Sequence, residues 1–209
     1  MKGEKGEKRK QELLKIAYQM FIQKGYEETS IDEIIAEAHI AKGTYYYHFP
    51  SKEALLEEVI NMMIEDEVGR AKEVVSAPMP VPQKLAGIVV SLRPEQGESN
   101  IADALNQREN IIMHEKIGRK IVEEAVPLLA DVVEQGIAQG MFTCDHVKER
   151  VRMILIVSQH LFDNGNFSYG EVEVFIDMVE KTLGAPSGTL GFIRQLIDQN
   201  DIERRTHFP

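Results

Sequence analysis

The chain has 209 residues, 43% of them hydrophobic, which is enough to build a sizeable core and excludes wholesale disorder. A net charge of −10 argues against a protein that coats nucleic acid with its whole surface, and a single cysteine, Cys144, excludes an internal disulfide framework. No apolar run reaches the roughly 18 residues of a membrane span, and no apolar stretch of the secretory kind follows the charged first ten residues. A cytoplasmic protein without membrane association is expected.

Charge is unevenly spread. Residues 1–60 hold nine Lys and Arg against eleven Asp and Glu, so most of the acidic excess lies beyond them. Lys2, Lys5, Lys8, Arg9 and Lys10 form a basic arm, diluted by Glu4 and Glu7. It reads equally as a solvated tail or as an arm touching phosphates or a minor groove.

In chain order, Leu13, Ile16, Ala17, Met20 and Phe21 recur at spacings of three and four, which predicts a helix over 9–24 with one buried face. Gly25 follows, where a left-handed residue ends a helix at little cost. Ser30-Ile31-Asp32-Glu33 reads as a capping box, the Ser30 hydroxyl accepting the N–H of Glu33 and the Glu33 carboxylate reaching back. Ile31, Ile34, Ile35 and Ala38 supply the apolar face of this short second helix, which ends where the chain turns at His39 and Ile40. A third helix opens near Ala41 and stops at Pro50, which biases Phe49 towards extended backbone. Ser51 caps a fourth helix that runs to about Val75 with Leu55, Leu56, Val59, Met62 and Met63 facing a core.

Ala77-Pro78-Met79-Pro80-Val81-Pro82 cannot continue that helix and reads as a semi-rigid hinge. Amphipathic segments follow at about 83–92, 99–117, 119–139, 146–164, 170–184 and 189–204. Arg93-Pro94-Glu95-Gln96-Gly97, Gly140, Asn164-Gly165 and Gly184-Ala185-Pro186 separate most of them. Pro127 should kink its helix or start one. No strand alternation survives, so the fold class is all-α: an N-terminal three-helix bundle, residues 7–67, linked by a long fourth helix to a larger helical domain, residues 68–209.

Three short helices with the second capped and the third brief have the geometry of a helix-turn-helix, with its motif over about 30–49. The third segment, Lys42-Gly43-Thr44-Tyr45-Tyr46-Tyr47-His48-Phe49, interleaves a cation, a hydroxyl, phenols and an imidazole, an inventory suited to phosphates and base edges. Gly43 lets the backbone approach a duplex closely. Lys52, in the first turn of the fourth helix, can hold a phosphate together with free backbone N–H groups. Three successive tyrosines cannot all face inward. Tyr45 and Tyr47 are the expected contacts, and Tyr46 the partly buried one.

Phe21-Ile22-Gln23-Lys24-Gly25-Tyr26-Glu27-Glu28-Thr29-Ser30-Ile31, followed by Ala41 to Leu56, resembles the signature of the tetracycline-repressor family over residues 9–60. The resemblance implies an N-terminal bundle that binds a palindromic operator in double-stranded DNA, and a helical C-terminal domain that forms a homodimer and takes a small-molecule effector. It implies phosphate contacts from Thr29 and Ser30, readers at Lys42, Gly43 and Thr44, base-edge or phosphate contacts from Tyr45 and Tyr47, backbone contacts from His48 and Lys52, and a core role for Phe49. Two positions depart from the pattern. His39 stands where the family often has Gly, and Ala41 stands where it often has a Ser or Thr cap.

In the C-terminal half, Met113, Met153, Val157, His160 and Leu161 are the expected pocket residues, with Gln159, Asn106 and Arg108 as further polar determinants. The same apolar spacing also fits plain core. Val151, Leu155, Phe162, Val172, Phe175, Ile176 and Val179 are the expected dimer surface, because family members pair through their last long helices. Cys144 beside Asp145 and His146 could be a nucleophile with a base, but no third member accompanies it. His114, His146 and His160 lack metal-ligand spacing, so neither a metal nor a cofactor is expected. The competing readings are a helical enzyme with a structural N-terminal bundle and a DNA-binding activator without an effector.

Overall fold

The computed structural model describes residues 2–94, 98–105, 107, 110–162 and 167–197. The predicted breaks at 95–97 and 164–165, Asn106, Arg108 and the predicted helix end at 198–204 lie outside the described residues, as do the side chains of Lys2, Glu4 and Lys5. Among the described residues there are helices and turns but no strand. The helices are α1 (Lys2–Lys24), α2 (Ile31–Glu37), α3 (Lys42–His48), α4 (Lys52–Ser76), α5 (Val81–Ser91), α6 (Ser99–Leu105), α7 (Ile111–Ala138), α8 (Val147–Phe162) and α9 (Tyr169–Leu183). The chain is helical again over 193–197.

Two compact units divide these elements. The first holds α1, α2, α3, α4 up to Asp66, α6 and the start of α7 up to Ile117. Its core contains Leu13, Ala17 and Phe21 of α1, Ile34 of α2, Tyr45 of α3 and Leu55, Leu56 and Val59 of α4. Helix α1 begins well before the expected residue 9. Its polar first turns bury little but are laced by local pairs, Gln11 to Glu7 at 3.1 Å and Arg9 to Glu12 at 2.8 Å. Helix α6 is tied to α1 by Tyr18, whose hydroxyl donates to Glu98 at 2.6 Å, and by Asn100, whose amide donates to the Ile22 carbonyl at 2.9 Å. An ion pair between Lys116 and Glu57 joins the start of α7 to α4.

The second unit holds α4 from Glu67, α5, α7 from Gly118, α8, α9 and 193–197. Both flanks of the proline-rich stretch 77–82 lie in this unit, so that stretch is a helix-breaking turn within one body rather than a joint between two. Pro82 falls in the first turn of α5, where the missing N–H has no intrahelical partner to lose. Lys84 is buried, and its ammonium donates to the Val75 carbonyl near the end of α4 and to Gln135 Oε1 of α7, each at 2.8 Å.

Where the sequence suggests a break near residue 118, α7 runs unbroken through Gly118 and Pro127. Pro127 is exposed, so its ring points away from the packed face. The Gly118 carbonyl accepts the Gln159 amide at 3.1 Å. Helix α9 opens on a second capping box, Ser168 with Glu171, and closes on Gly184 at φ 64°. The buried Glu180 carboxylate then accepts the N–H groups of Gly188 at 3.0 Å and Leu190 at 2.8 Å, which holds the following turn.

Two left-handed glycines make a controlled comparison. A Cβ at Gly184 would lie 2.3 Å from the Thr143 carbonyl oxygen, whereas one at Gly140 (φ 73°) would meet nothing within 4 Å. Alanine at either position is expected to carry the left-handed penalty of about 1–2 kcal/mol. Gly184→Ala should cost a further 1–3 kcal/mol or so, because the clash is with backbone. Urea unfolding of the two variants checks this, and equal losses would contradict it.

Candidate nucleic-acid interface

The reading end is built from the end of α1 to the start of α4. The capping box forms as its residues dictate. Glu33 N–H donates to Ser30 Oγ at 3.2 Å, and the Ser30 N–H donates to Glu33 Oε2 at 2.9 Å. The turn into α3 passes through His39 at φ 51°, a left-handed conformation that costs a non-glycine residue about 1–2 kcal/mol. Ala41 occupies the N-cap of α3 with no side-chain hydrogen bond, so the cap foreseen as missing is missing.

Helix α3 then sorts its residues by angle. Tyr45 and Phe49 lie four apart and share the inner face, with ring centroids 5.9 Å apart, and the Tyr45 hydroxyl donates to the Ser51 carbonyl at 3.4 Å. Tyr45 is 0% exposed, against 45% for Tyr46 and 83% for Tyr47. This corrects the expected contact set: Tyr45 is a core residue and Tyr46 an exposed one. Burial pushes the Tyr45 phenol up to about 12, so it stays protonated as a donor inside the bundle. The signal was available in the sequence, because a core Phe49 places position 45 on the same face.

Thr29 is corrected in the same way. It is fully buried, and its hydroxyl donates to the Gly25 carbonyl at 2.8 Å, which closes the turn after α1 instead of facing a phosphate. Ser30, Lys42 and Gly43 are exposed, and Thr44, His48 and Lys52 are half-buried. A Cβ at Gly43 would meet nothing within 4 Å, and its φ is not left-handed, so nothing in the fold requires glycine there.

The cations of this face are held by local partners. Lys42 pairs with Asp32 at 3.1 Å, and Lys24 pairs with Glu33 at 2.5 Å. Lys52 lies 4.1 Å above the Tyr26 ring and donates to the Glu27 carbonyl at 3.3 Å. Hydrogen bonds from Lys24 and Ser30 hold the Glu33 carboxyl down to about 2. The Asp32 carboxylate raises the Lys42 ammonium above its usual value, so that cation is fully charged at neutral pH.

In the second unit lies a cavity of about 400 Å³. Gln159, expected as a polar determinant, is among its lining residues, whereas Met113, Met153, Val157, His160 and Leu161 are not. Met153 and Val157 project from the exposed side of α8, His160 is exposed, and Met113 belongs to the first unit. The lining includes instead Val151, Leu155, Phe162, Phe175 and Val179, five of the residues expected at a dimer surface. Val172 and Ile176 are buried as well. The face expected to meet a partner therefore points inward, and part of the face expected to line a pocket points to solvent. Cys144 is half-buried with its thiol pushed up by burial, the reverse of an activated nucleophile, and Asp145 is engaged by Arg150 at 2.6 Å.

Residues 13–59 match the family described as bacterial regulatory proteins, tetR family, and residues 95–180 match a tetracyclin repressor-like C-terminal domain. Together these matches span more than half of the chain. The chain belongs to the tetracycline-repressor family. Its relatives include the HTH-type transcriptional repressor KstR2 of Rhodococcus jostii, 28% identical over 141 residues, which are 66% of this chain and 69% of that protein. The HTH-type transcriptional regulator QacR of Staphylococcus aureus is 40% identical over 53 residues, 25% of this chain and 28% of the relative. Among solved structures, RolR in complex with resorcinol shares the fold at a TM-score of 0.61 and 18% identity, covering 93% of this chain and 95% of its own. A transcriptional regulator from Cytophaga hutchinsonii shares it at 0.56 and 18%, covering 82% and 93%.

The tetracycline-repressor family is one of DNA-binding transcriptional regulators, which are not enzymes. No helix among the described residues is long and apolar enough to cross a membrane.

Two measurements probe the reading end. Gly43→Ala should leave thermal stability unchanged or raise it by up to about 1 kcal/mol, from helix propensity alone, while weakening DNA binding at least ten-fold. A fall in melting temperature would show instead that the fold needs this glycine. Glu33 has a folded-state value below its unfolded one, so its contribution is complete above about pH 4.3 and is lost as pH falls towards 2. Glu33→Gln should flatten that part of the stability-against-pH curve, followed by urea midpoints at successive pH values.

Proposed function

We propose that this protein is a homodimeric repressor that binds a palindromic operator and is released from it by a small-molecule effector. The observation that carries the reading is the surface of α3. Lys42, Gly43, Thr44, Tyr46, Tyr47 and His48 point outward or flank the outward face, and the fold itself does not account for the glycine. Ser30 at the start of α2 and Lys52 at the start of α4 lie in first helical turns, where backbone N–H groups and a cation together suit phosphate. Lys42 and the exposed tyrosines suit base edges and groove walls. On this reading residues 7–67 are the DNA-binding domain and residues 68–209 bind the effector and form the dimer.

The dimer contact assigned here is the exposed apolar stripe of α8, Met153, Ile156 and Val157, together with Val174 of α9. Met153 is 67% exposed and Val174 68%, values that are expensive for a solvated face but natural for one that a second copy covers. A two-fold axis there would present two α3 helices to successive major grooves about 34–36 Å apart, which is why the operator is palindromic. For the effector, the support is the apolar cavity of the second unit and the resorcinol bound in the RolR structure. Helix α4 is common to both units, so a ligand that favours one setting of its second half changes operator affinity by the difference in binding free energy.

Fluorescence anisotropy with a duplex from the promoter beside its own gene tests the reading. Selective, salt-dependent binding is expected at submicromolar protein, with Tyr47→Ala weakening it by about 1–3 kcal/mol and Lys42→Ala reducing discrimination between sites. Equal affinity for a scrambled duplex would overturn it.

A further inference from the structure

We propose that the cavity of the second unit takes an apolar ring molecule bearing a hydroxyl group, an alcohol or phenol that donates a hydrogen bond to Gln159 Oε1. The inference rests on the reading of this unit as the effector-binding one and names the chemical class that the site selects.

The cavity, at about 400 Å³, falls within the range of about 300–1,000 Å³ in which proteins bury drug-sized molecules. Phe162, Phe167, Phe175 and Phe192 stand in its wall among leucine, isoleucine and valine side chains. Phe162 meets Phe167 edge-on at 4.9 Å and Phe175 edge-on at 5.2 Å, so the wall offers aromatic faces and edges to a ring.

Helix α8 supplies the polar part. Its lining residues, Val151, Ile154, Leu155, Ser158, Gln159 and Phe162, follow the helical period as one stripe, apolar but for the adjacent pair Ser158 and Gln159. The protein itself uses the donors of that pair. Gln159 Nε2 donates to the Gly118 carbonyl of α7 at 3.1 Å, and the Ser158 hydroxyl donates to the Leu155 carbonyl at 2.8 Å. The first bond also fixes the amide's orientation, because the reverse setting would press Oε1 against a carbonyl oxygen. What is left over is mostly acceptor. Among the described residues no donor reaches Gln159 Oε1 or Ser158 Oγ, and one Nε2–H remains beside them.

A hydroxyl group both donates and accepts, so it is the smallest neutral group that meets this set. An ether or a ketone can only accept, and would leave both oxygens dry beside an apolar body. An ammonium donates, but neutral oxygens leave its charge unbalanced in apolar surroundings. Arg93, the remaining polar side chain among the described lining residues, donates to the Leu196 carbonyl at 2.7 Å and is assigned no ligand group.

The test compares 2-naphthol with 2-methoxynaphthalene, which only accepts, 2-methylnaphthalene, which does neither, and 2-naphthoate, each below its solubility limit. Binding is followed by naphthyl fluorescence and thermal shift on the full chain and on its Gln159→Leu and Ser158→Ala variants. 2-Naphthol is expected to raise the melting temperature progressively and to bind at least ten-fold more tightly than the ether. Gln159→Leu should weaken 2-naphthol at least ten-fold and leave 2-methylnaphthalene unchanged or tighter, which also shows that the cavity is still folded. Ser158→Ala should lose less. The comparison of phenol with ether on the unaltered chain decides the matter even if a variant does not fold. Equal binding of phenol and ether, tighter binding of 2-naphthoate than of 2-naphthol, an unchanged 2-naphthol affinity in Gln159→Leu, or no binding by any probe would overturn the proposal. Anisotropy on the operator duplex separates it from the reading beneath it. Gln159-dependent 2-naphthol binding that leaves DNA bound would remove the effector role and keep the ligand class. Release by 2-methylnaphthalene alone would keep the effector role and overturn the ligand class.

Discussion

The packing of Tyr45 against Phe49, both rings buried with centroids 5.9 Å apart, sets the orientation of α3 and with it everything the reading end displays. A helix of seven residues is far below the roughly 12–15 at which helices become marginally stable alone, and this one lacks even a side-chain cap at Ala41. Its stability is therefore tertiary. Once positions 45 and 49 are drawn inward, steps of about 100° per residue leave Tyr46 and Tyr47 outside, with His48 edge-on to Tyr47 at 5.0 Å. The core pair hides two aromatics so that two others can be shown.

The acidic residues near this face have a physical role consistent with binding a polyanion. Asp32 and Glu33 hold Lys42 and Lys24 in place, but all four side chains are substantially exposed, and such pairs are worth about 0–1 kcal/mol. They orient the cations cheaply and can yield them to phosphates. They also lower attraction to arbitrary DNA, as does the acidic bulk of the chain.

In the second unit the instructive result is which of two apolar faces of α8 turns inward. Val151, Leu155 and Phe162 turn inward to a cavity, while Met153, Ile156 and Val157 turn outward. Both stripes are apolar at helical spacing, and from one chain's sequence a stripe that meets a cavity cannot be told from one that meets a partner. What separates them is which stripe α9 already covers. Phe175, Ile176 and Val179 of α9 are buried in the monomer, so the residues they pack with are no longer available to a second copy. The same holds at Thr29, where a hydroxyl that resembles a phosphate contact is spent on the Gly25 carbonyl.

Local chemistry determined much of this protein from the sequence by itself. The all-helical class, the Ser30 capping box, the turn at His39, the uncapped Ala41 and the exposed Lys42-Gly43 all follow from short-range rules, because their hydrogen bonds and dihedral preferences involve neighbours in the chain. Tyr45 was legible too, through its spacing from Phe49, once that residue was assigned to the core. Tertiary structure alone decided the rest. It carried α7 past Gly118 and Pro127, brought α6 onto α1 through Tyr18 and Glu98, joined the flanks of the proline-rich turn into one unit, and placed Arg93 in a wall with phenylalanines some 70 to 100 positions away. Those outcomes depend on burial between segments distant in sequence, and burial has no period by which a single chain can announce it.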